Sequence, residues 1–293
     1  MEDQGIGRGE LTDRPVYSIC ITHYNNARTV RESMESILSQ VDDRFEVVVV
    51  DNFSNDGSRE ILQGYASDGR IKLIERRCSR GRGRQIAFEE SSGDYIISGV
   101  DLDDVFRPVF IRLLDGYRTF FEGQCLFLSG KHEAITIAPR PLVERVGGWR
   151  DVPAGEDIDL WARMAKEGKL THVAYRRIQS KVNPHEGFFH RVTRRVDRAR
   201  SAFIIGLNPL KVESDPPTIP RKIGRLSVTA AGYVAHLFHK KYKDNVEFKY
   251  KLASVHQSGL FEPPDEVREG FVRFLDRTGD ESVTGATSNG EES

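Results

Sequence analysis

Three carboxylates stand within four residues at Asp101-Leu102-Asp103-Asp104. Charges that close repel, so at the end of an apolar run they need a cation or donors to offset them. Hard carboxylate oxygens suit Mg2+ or Mn2+, and such an ion keeps open positions for substrate phosphates. It would neutralise a diphosphate and stabilise it as a leaving group. A solvated acidic loop capping the next helix would present the same residues. A second pair, Glu156-Asp157, opens a helical segment. The helix dipole favours acids there whatever their use. The chemical alternative is a general base within reach of an incoming hydroxyl. Arg80-Gly81-Arg82-Gly83-Arg84 supplies three cations and two glycines. It reads as a flexible turn able to hold phosphate or a base edge, or as a solvated basic loop. It lacks the spacing of a Walker-type phosphate loop or a dinucleotide fingerprint. His185, in Asn183-Pro184-His185-Glu186, is a further metal or phosphate ligand candidate, or a solvated loop histidine.

These residues need a frame. Residues 16–21 read as a buried strand and residues 27–40 as a helix. In that helix Val30, Met34, Ile37 and Leu38 share one face of a 3.6-residue period. Residues 45–50 form a nearly all-apolar strand, as a parallel strand covered on both faces should be. The string Asp51-Asn52-Phe53-Ser54-Asn55-Asp56-Gly57 is a turn by composition. A helix over 58–66, a strand over 71–74, a helix over 85–92 capped by Gly93 and a strand over 95–100 follow. The alternation predicts an α/β fold with a doubly wound, mostly parallel sheet and flanking helices. Ligands of such sheets sit beyond the carboxyl ends of the strands, where two of the acidic strings fall. After residue 100 the pattern mixes: helices over 108–121, 142–146 and 158–167, strands over 125–128 and 134–137.

In order, these motifs resemble family 2 glycosyltransferases of the GT-A fold, over roughly residues 16–170. The resemblance rests on Ile21-Thr22-His23-Tyr24-Asn25-Asn26, on the helix ending Ser33 to Gln40, and on Val49-Val50-Asp51-Asn52-Phe53-Ser54-Asn55-Asp56-Gly57-Ser58. It continues through Arg84-Gln85 with Gly93-Asp94-Tyr95-Ile96, through Asp101-Leu102-Asp103-Asp104, and through Gly147-Gly148-Trp149 with Gly155-Glu156-Asp157-Ile158-Asp159-Leu160-Trp161-Ala162-Arg163. It implies that Thr22, Tyr24, Asn25, Asp51, Asn52, Ser54, Arg84 and Asp101 hold a nucleotide. Asp101 and Asp103, with Asp104, would hold Mg2+ or Mn2+ on the diphosphate, and His185, outside these motifs, stays the further ligand candidate. Asp157, beside Glu156, is the implied base, and the implied outcome is inversion at the sugar carbon. Asn52 replaces a frequent second Asp, and Gln85 replaces a usual Asn. The Gln-x-x-Arg-Trp motif of processive synthases is absent after Asp157, which implies one sugar per encounter. A sugar-phosphate nucleotidyltransferase would need a Gly-rich loop after the first strand, where this chain has His23-Tyr24-Asn25-Asn26-Ala27. A sugar-nucleotide-binding or membrane-scaffolding relative without chemistry would not need Asp101, Asp103 and Asp157.

The chain of 293 residues has a net charge of −1, which argues against a uniformly basic nucleic-acid coat. Neutrality is a cancellation. Residues 176–251 carry 17 Lys+Arg against 6 Asp+Glu. Within them Ile223, Leu226, Ala230, Tyr233, Val234, Leu237 and Phe238 recur at helical spacing, with Arg225, Thr229, His236, Lys240 and Lys243 on the other side. One reading is an interfacial helix drawn to anionic headgroups, which would suit a glycan or lipid-linked acceptor. The other is a helix packed on the catalytic domain with solvated lysines. The expected organisation is a frayed 1–14, a catalytic domain over 15–205, a basic helical extension over 206–277 and an acidic, disordered 278–293. The acidic start shows no secretory pattern, no run is long enough to span a bilayer, and Cys20, Cys78 and Cys125 form no pair motif. The expectation is a cytoplasmic protein with reduced thiols and a membrane-facing side.

Overall fold

The computed structural model describes residues 15–108, 110–129, 134–175, 179–181, 188–212, 219–253 and 261–277. A seven-stranded sheet runs in the order β3-β2-β1-β4-β7-β6-β8. Its strands are β1 (Tyr17–His23), β2 (Phe45–Asp51), β3 (Lys72–Glu75), β4 (Tyr95–Ser98), β6 (Cys125–Ser129), β7 (Ala134–Pro139) and β8 (Leu170–Ala174). The first four are mutually parallel, and β7 is antiparallel to both β4 and β6. A two-stranded ribbon of β5 (Asp104–Phe106) and β9 (Gln179–Lys181), which the sequence does not announce, stands apart.

The side-chain period of two along β1 and β2 builds the two layers. Tyr17, Ile19, Ile21, Val47 and Val49 face one core, with α1 (Val30–Leu38), α2 (Ser58–Ser67) and α4 (Phe110–Phe121). Cys20, Val48 and Val50 face the other, with α3 (Arg80–Glu89), α5 (Arg140–Arg145) and α6 (Glu156–Lys166). The C-terminal part contributes α7 (Phe188–Ile204), α8 (Pro209–Val212), α9 (Ile219–His236), α10 (Val246–Ala253) and α11 (Asp265–Asp276). It does not stand off from the sheet. Leu252 of α10 joins the second core, and Phe271 and Leu275 of α11 join the first.

Two sequence expectations are corrected. The Arg80–Arg84 string is not a loop but the first turns of α3, begun by Ser79, whose Oγ accepts the Arg82 N–H at 3.1 Å. Its glycines allow close approach rather than flexibility. A Cβ at Gly81 would collide with Arg150 O, and one at Gly83 would lie 2.7 Å from Thr22 Cγ2. Gly93 is likewise no helix cap. The helix ends at Glu89, and Gly93 lies against β1, where a Cβ would sit 2.5 Å from Ser18 Oγ.

Candidate active site

Strands β1 and β2 end in register, His23 opposite Asp51, so the turns that follow them lie side by side. Their backbones are stitched together. Asn25 N donates to Ser54 Oγ at 3.0 Å, Asn55 N to Asn25 Oδ1 at 3.0 Å, and Ala27 N to Asp56 Oδ2 at 2.8 Å. Asp51 is fully buried, and it accepts from Ser54 N at 2.9 Å and Ser54 Oγ at 2.5 Å. Asp51 and Ser54, expected to hold nucleotide, thus shape the turn from beneath. Asn52 Oδ1 accepts from Cys78 N at 3.0 Å, tying this turn to the entry of α3. Tyr24 is exposed, and Thr22 and Asn25 are partly so. Two residues outside the expected set share this end of the sheet. Phe53, exposed and with φ 52, lies 5.9 Å from Arg77. His23 is buried with neither ring nitrogen hydrogen-bonded among the described residues, and burial lowers its pKa against the pull of Asp51, Asp56 and Asp101.

The centre of the site is Arg84. It projects from α3 and is almost wholly buried. Its Nε donates to Glu156 Oε1 at 2.9 Å, its Nη2 is 3.3 Å from Asp157 Oδ2, and the same nitrogen is 3.9 Å from Asp101 Oδ1. One cation therefore joins the end of β4 to the first turn of α6. Burial opposes the charge on Arg84, but Asp157, Glu156 and Asp101 overcome it and raise its pKa above the ordinary arginine value. Its Nη1 is buried and, among the described residues, has no hydrogen-bond partner, so it is a cationic donor still to be satisfied. Burial, then the neighbouring Asp157 charge, raises the pKa of Glu156, with Arg84 opposing.

Asp157 has a second partner: Trp149 Nε1 donates to its Oδ1 at 2.9 Å. The Trp149 loop is set by Gly148, at φ +62, and by Gln85 Oε1, which accepts the Trp149 N–H at 2.7 Å. Gln85, one carbon longer than Asn, thereby pins the loop that holds Asp157.

Two residues along α6, Asp159 is fully buried among cations. Lys249 Nζ lies 2.8 Å from its Oδ1, Arg163 Nη2 lies 2.9 Å from its Oδ2, and Arg150 Nη1 is 3.4 Å away. Lys249 is itself fully buried and donates to Ile205 O at 3.1 Å and Tyr242 O at 2.8 Å. Arg163 stands at i,i+4 from Asp159, but nothing local in the sequence marks Lys249, which is distant along the chain.

Asp101 and Asp103 are partly exposed carboxylates, a hard-oxygen pair whose chemistry fits Mg2+ or Mn2+. Asp104 is different: it is fully buried in β5. Among the described residues no group of three His, Cys, Asp or Glu side chains is placed to hold a metal ion, and His185 lies outside those residues. Two protein carboxylates fit an ion that completes its coordination with substrate phosphate and water, as Mg2+ does.

Residues 18–116 match the family described as "Glycosyl transferase family 2". EpsE of Bacillus subtilis (strain 168), named as a glycosyltransferase, is 29% identical over 194 residues, 54% of this chain and 69% of EpsE. TuaG of the same organism, named for teichuronic acid biosynthesis, is 31% identical over 97 residues. That match covers 32% of this chain and only 38% of TuaG's length. Among solved structures, the mannosyltransferase PcManGT from Pyrobaculum calidifontis, in complex with GDP-Man and Mn2+, is similar in fold. Its TM-score is 0.54 at 18% identity, over 90% of this chain and 86% of that one.

Proposed function

The chain belongs to glycosyl transferase family 2 through residues 18–116, and on that premise we propose that it moves one sugar, with inversion, from a nucleotide-sugar donor to an acceptor hydroxyl. The observation that carries the proposal is the buried Arg84 joining Asp101 to Glu156 and Asp157. It puts a residue at the strand end, where nucleotides bind in such sheets, beside a carboxylate able to accept a proton.

Thr22, Tyr24, Asn25 and Asn52 line the turns that receive the nucleotide, and Asp51 and Ser54 hold those turns in shape. Arg84 offers its Nη1, without a partner among the described residues, to the diphosphate. Asp101 and Asp103 would hold Mg2+ or Mn2+, which neutralises the charge that builds on the diphosphate as it leaves. Trp149 and Arg84 orient Asp157. Asp157 takes the proton of the acceptor hydroxyl while its oxygen bonds to the anomeric carbon from the face opposite the leaving diphosphate. The bond from the anomeric carbon to the diphosphate oxygen breaks as the new one forms, and its electron pair leaves with the diphosphate. Glu156 balances Arg84 from behind rather than meeting substrate, since it is buried against Nε.

The acceptor we infer is a glycan or lipid-linked carrier presented at the cytoplasmic face of a membrane. The relationship to TuaG and the exposed face of α9 support this reading. The three free cysteines fit a reducing compartment.

The test is a panel of nucleotide sugars, each assayed for hydrolysis and transfer with and without Mg2+ or Mn2+. One donor should be consumed only with the ion, and Asp157→Asn should abolish transfer while nucleotide still binds. Transfer undiminished in Asp157→Asn would reject the base assignment.

A further inference from the structure

The face of α9 that is apolar in the sequence points outward. Leu226, Ala230, Tyr233 and Val234 on α9, with Leu237 and Phe238 in the turn directly after it, recur at spacings of three and four, and all are exposed. Leu226 is 58% exposed, Val234 60% and Phe238 88%. The inward face is the one bearing Gly232 and His236. Gly232 approaches α7 so closely that a Cβ would lie 2.6 Å from Ala199 Cβ. His236 is buried, its ring 5.1 Å from that of Phe203. The helix is therefore fastened to the protein by its small and polar side, with its apolar stripe left in solvent. Single exposed apolar residues are ordinary, but a continuous stripe marks a docking surface.

The charge around the stripe is of one sign. From residue 219 to residue 243 there is no Asp or Glu. Arg221, Lys222 and Arg225 lie toward one end of α9, and Lys240, Lys241 and Lys243, all exposed, follow the other. A second copy is disfavoured as the occupant. With cations at both ends, either orientation of two such helices sets cation against cation. The acidic segment 278–293 has only Val283 and Ala286 as apolar side chains, too few to cover the stripe. Among the described residues no helix is long and apolar enough to cross a membrane.

We propose that α9 lies in the headgroup plane of an anionic bilayer, with Leu226, Val234, Leu237 and Phe238 dipping toward the acyl chains and Lys240, Lys241 and Lys243 on the lipid phosphates. This combination of apolar wedge and cationic flank is what such surfaces bind. The proposal deepens the lipid-linked acceptor reading by naming the surface that brings the enzyme to its acceptor.

The full chain is sedimented with vesicles of phosphatidylcholine alone or mixed with phosphatidylglycerol. Wild type should pellet with the anionic vesicles and not with the neutral ones. Raising salt from about 0.1 to about 1 M, which shortens the Debye length from ~10 to ~3 Å, should release much of it. Leu237→Gln/Phe238→Gln should bind at least about tenfold more weakly, since both side chains lose apolar burial. Both positions are exposed, so circular dichroism should show an unchanged fold. Lys240→Gln/Lys241→Gln/Lys243→Gln should lose the preference for anionic vesicles. Wild type that stays in the supernatant with anionic vesicles at low salt would overturn the proposal. So would Leu237→Gln/Phe238→Gln that pellets like wild type, or a wild-type dimer that this pair of substitutions makes monomeric. Sedimentation requires no turnover, so a chain that consumes no donor can pass this test, and an active one can fail it.

Discussion

Trp149 donates its indole N–H to Asp157 at 2.9 Å, across the turn that Gly155 opens at φ 72 before α6. The bond fixes one carboxylate oxygen, while Arg84 faces the other at 3.3 Å. Trp149→Phe keeps an aromatic ring against Phe88, 6.1 Å away in the native chain, and removes the donor. We expect the transfer rate to fall about 10- to 100-fold, a part of the roughly 10²- to 10⁴-fold that a positioned general base supplies, since the base itself remains. Donor affinity should be little changed, and stability should fall by about 1 kcal/mol, the net worth of one hydrogen bond. Steady-state kinetics and a denaturation curve read both.

Arg84 is the only cation hydrogen-bonded to Glu156 among the described residues. Arg84→Met leaves Asp101, Glu156 and Asp157 crowded without it. Breaking a buried ion pair from one side costs about 3–5 kcal/mol. We expect a large loss of stability and of nucleotide binding. Arg84→Lys should recover stability better than binding, because a lysine cannot reproduce the guanidinium fork. Calorimetric titration with a nucleoside diphosphate separates the two effects.

Lys249 clamps α10 to the helix that carries Asp157. Lys249→Met strands Asp159 without its closest cation, and a loss of about 3–5 kcal/mol is expected. Lys249→Met/Asp159→Asn should recover none of that loss, because removing the Asp159 charge leaves the buried Arg163 guanidinium without its carboxylate partner. Urea unfolding of the two variants measures the difference.

Asp244 is held down to about 2, from an ordinary 3.8, first by its hydrogen bonds from Arg150. A carboxyl whose folded pKa is depressed adds stability above its unfolded pKa and loses it as the folded one is passed. Thermal stability should therefore fall as pH drops from 3.8 toward about 2. In Asp244→Asn this part of the fall should be missing. The side chain is half-exposed, so solvent screening keeps the effect small.

Gly81→Ala places a methyl against Arg150 O, one residue from Trp149. The obstacle is backbone, so the 150–152 segment must shift. We expect lower activity with a smaller loss of stability. Gly57→Ala is the control: its Cβ meets nothing within 4 Å, so its effect should be confined to the strain of φ +94 and leave the Trp149 loop in place.

Local chemistry made much of this protein legible. A period of two in apolar strands and of 3.6 in helices announced the β-α alternation and the strand ends where Asp51 and Asp101 stand. Those signals fail where one residue serves two partners. Arg80–Arg84 reads as a loop because glycine usually means flexibility, yet Gly81 and Gly83 are there for contact with Arg150 and Thr22. Ser79, an N-cap type just before the string, was the available sign of a helix. Tertiary structure alone brought Arg84 to Glu156 across 72 residues, and Lys249 to Asp159 across 90. Such pairs are set by how α3, α6 and α10 stack on one face of the sheet, not by any local preference. The same holds for α9. Its sequence is amphipathic whichever way it faces, and only the approach of Gly232 to Ala199 decided that the apolar side would be the one turned to solvent.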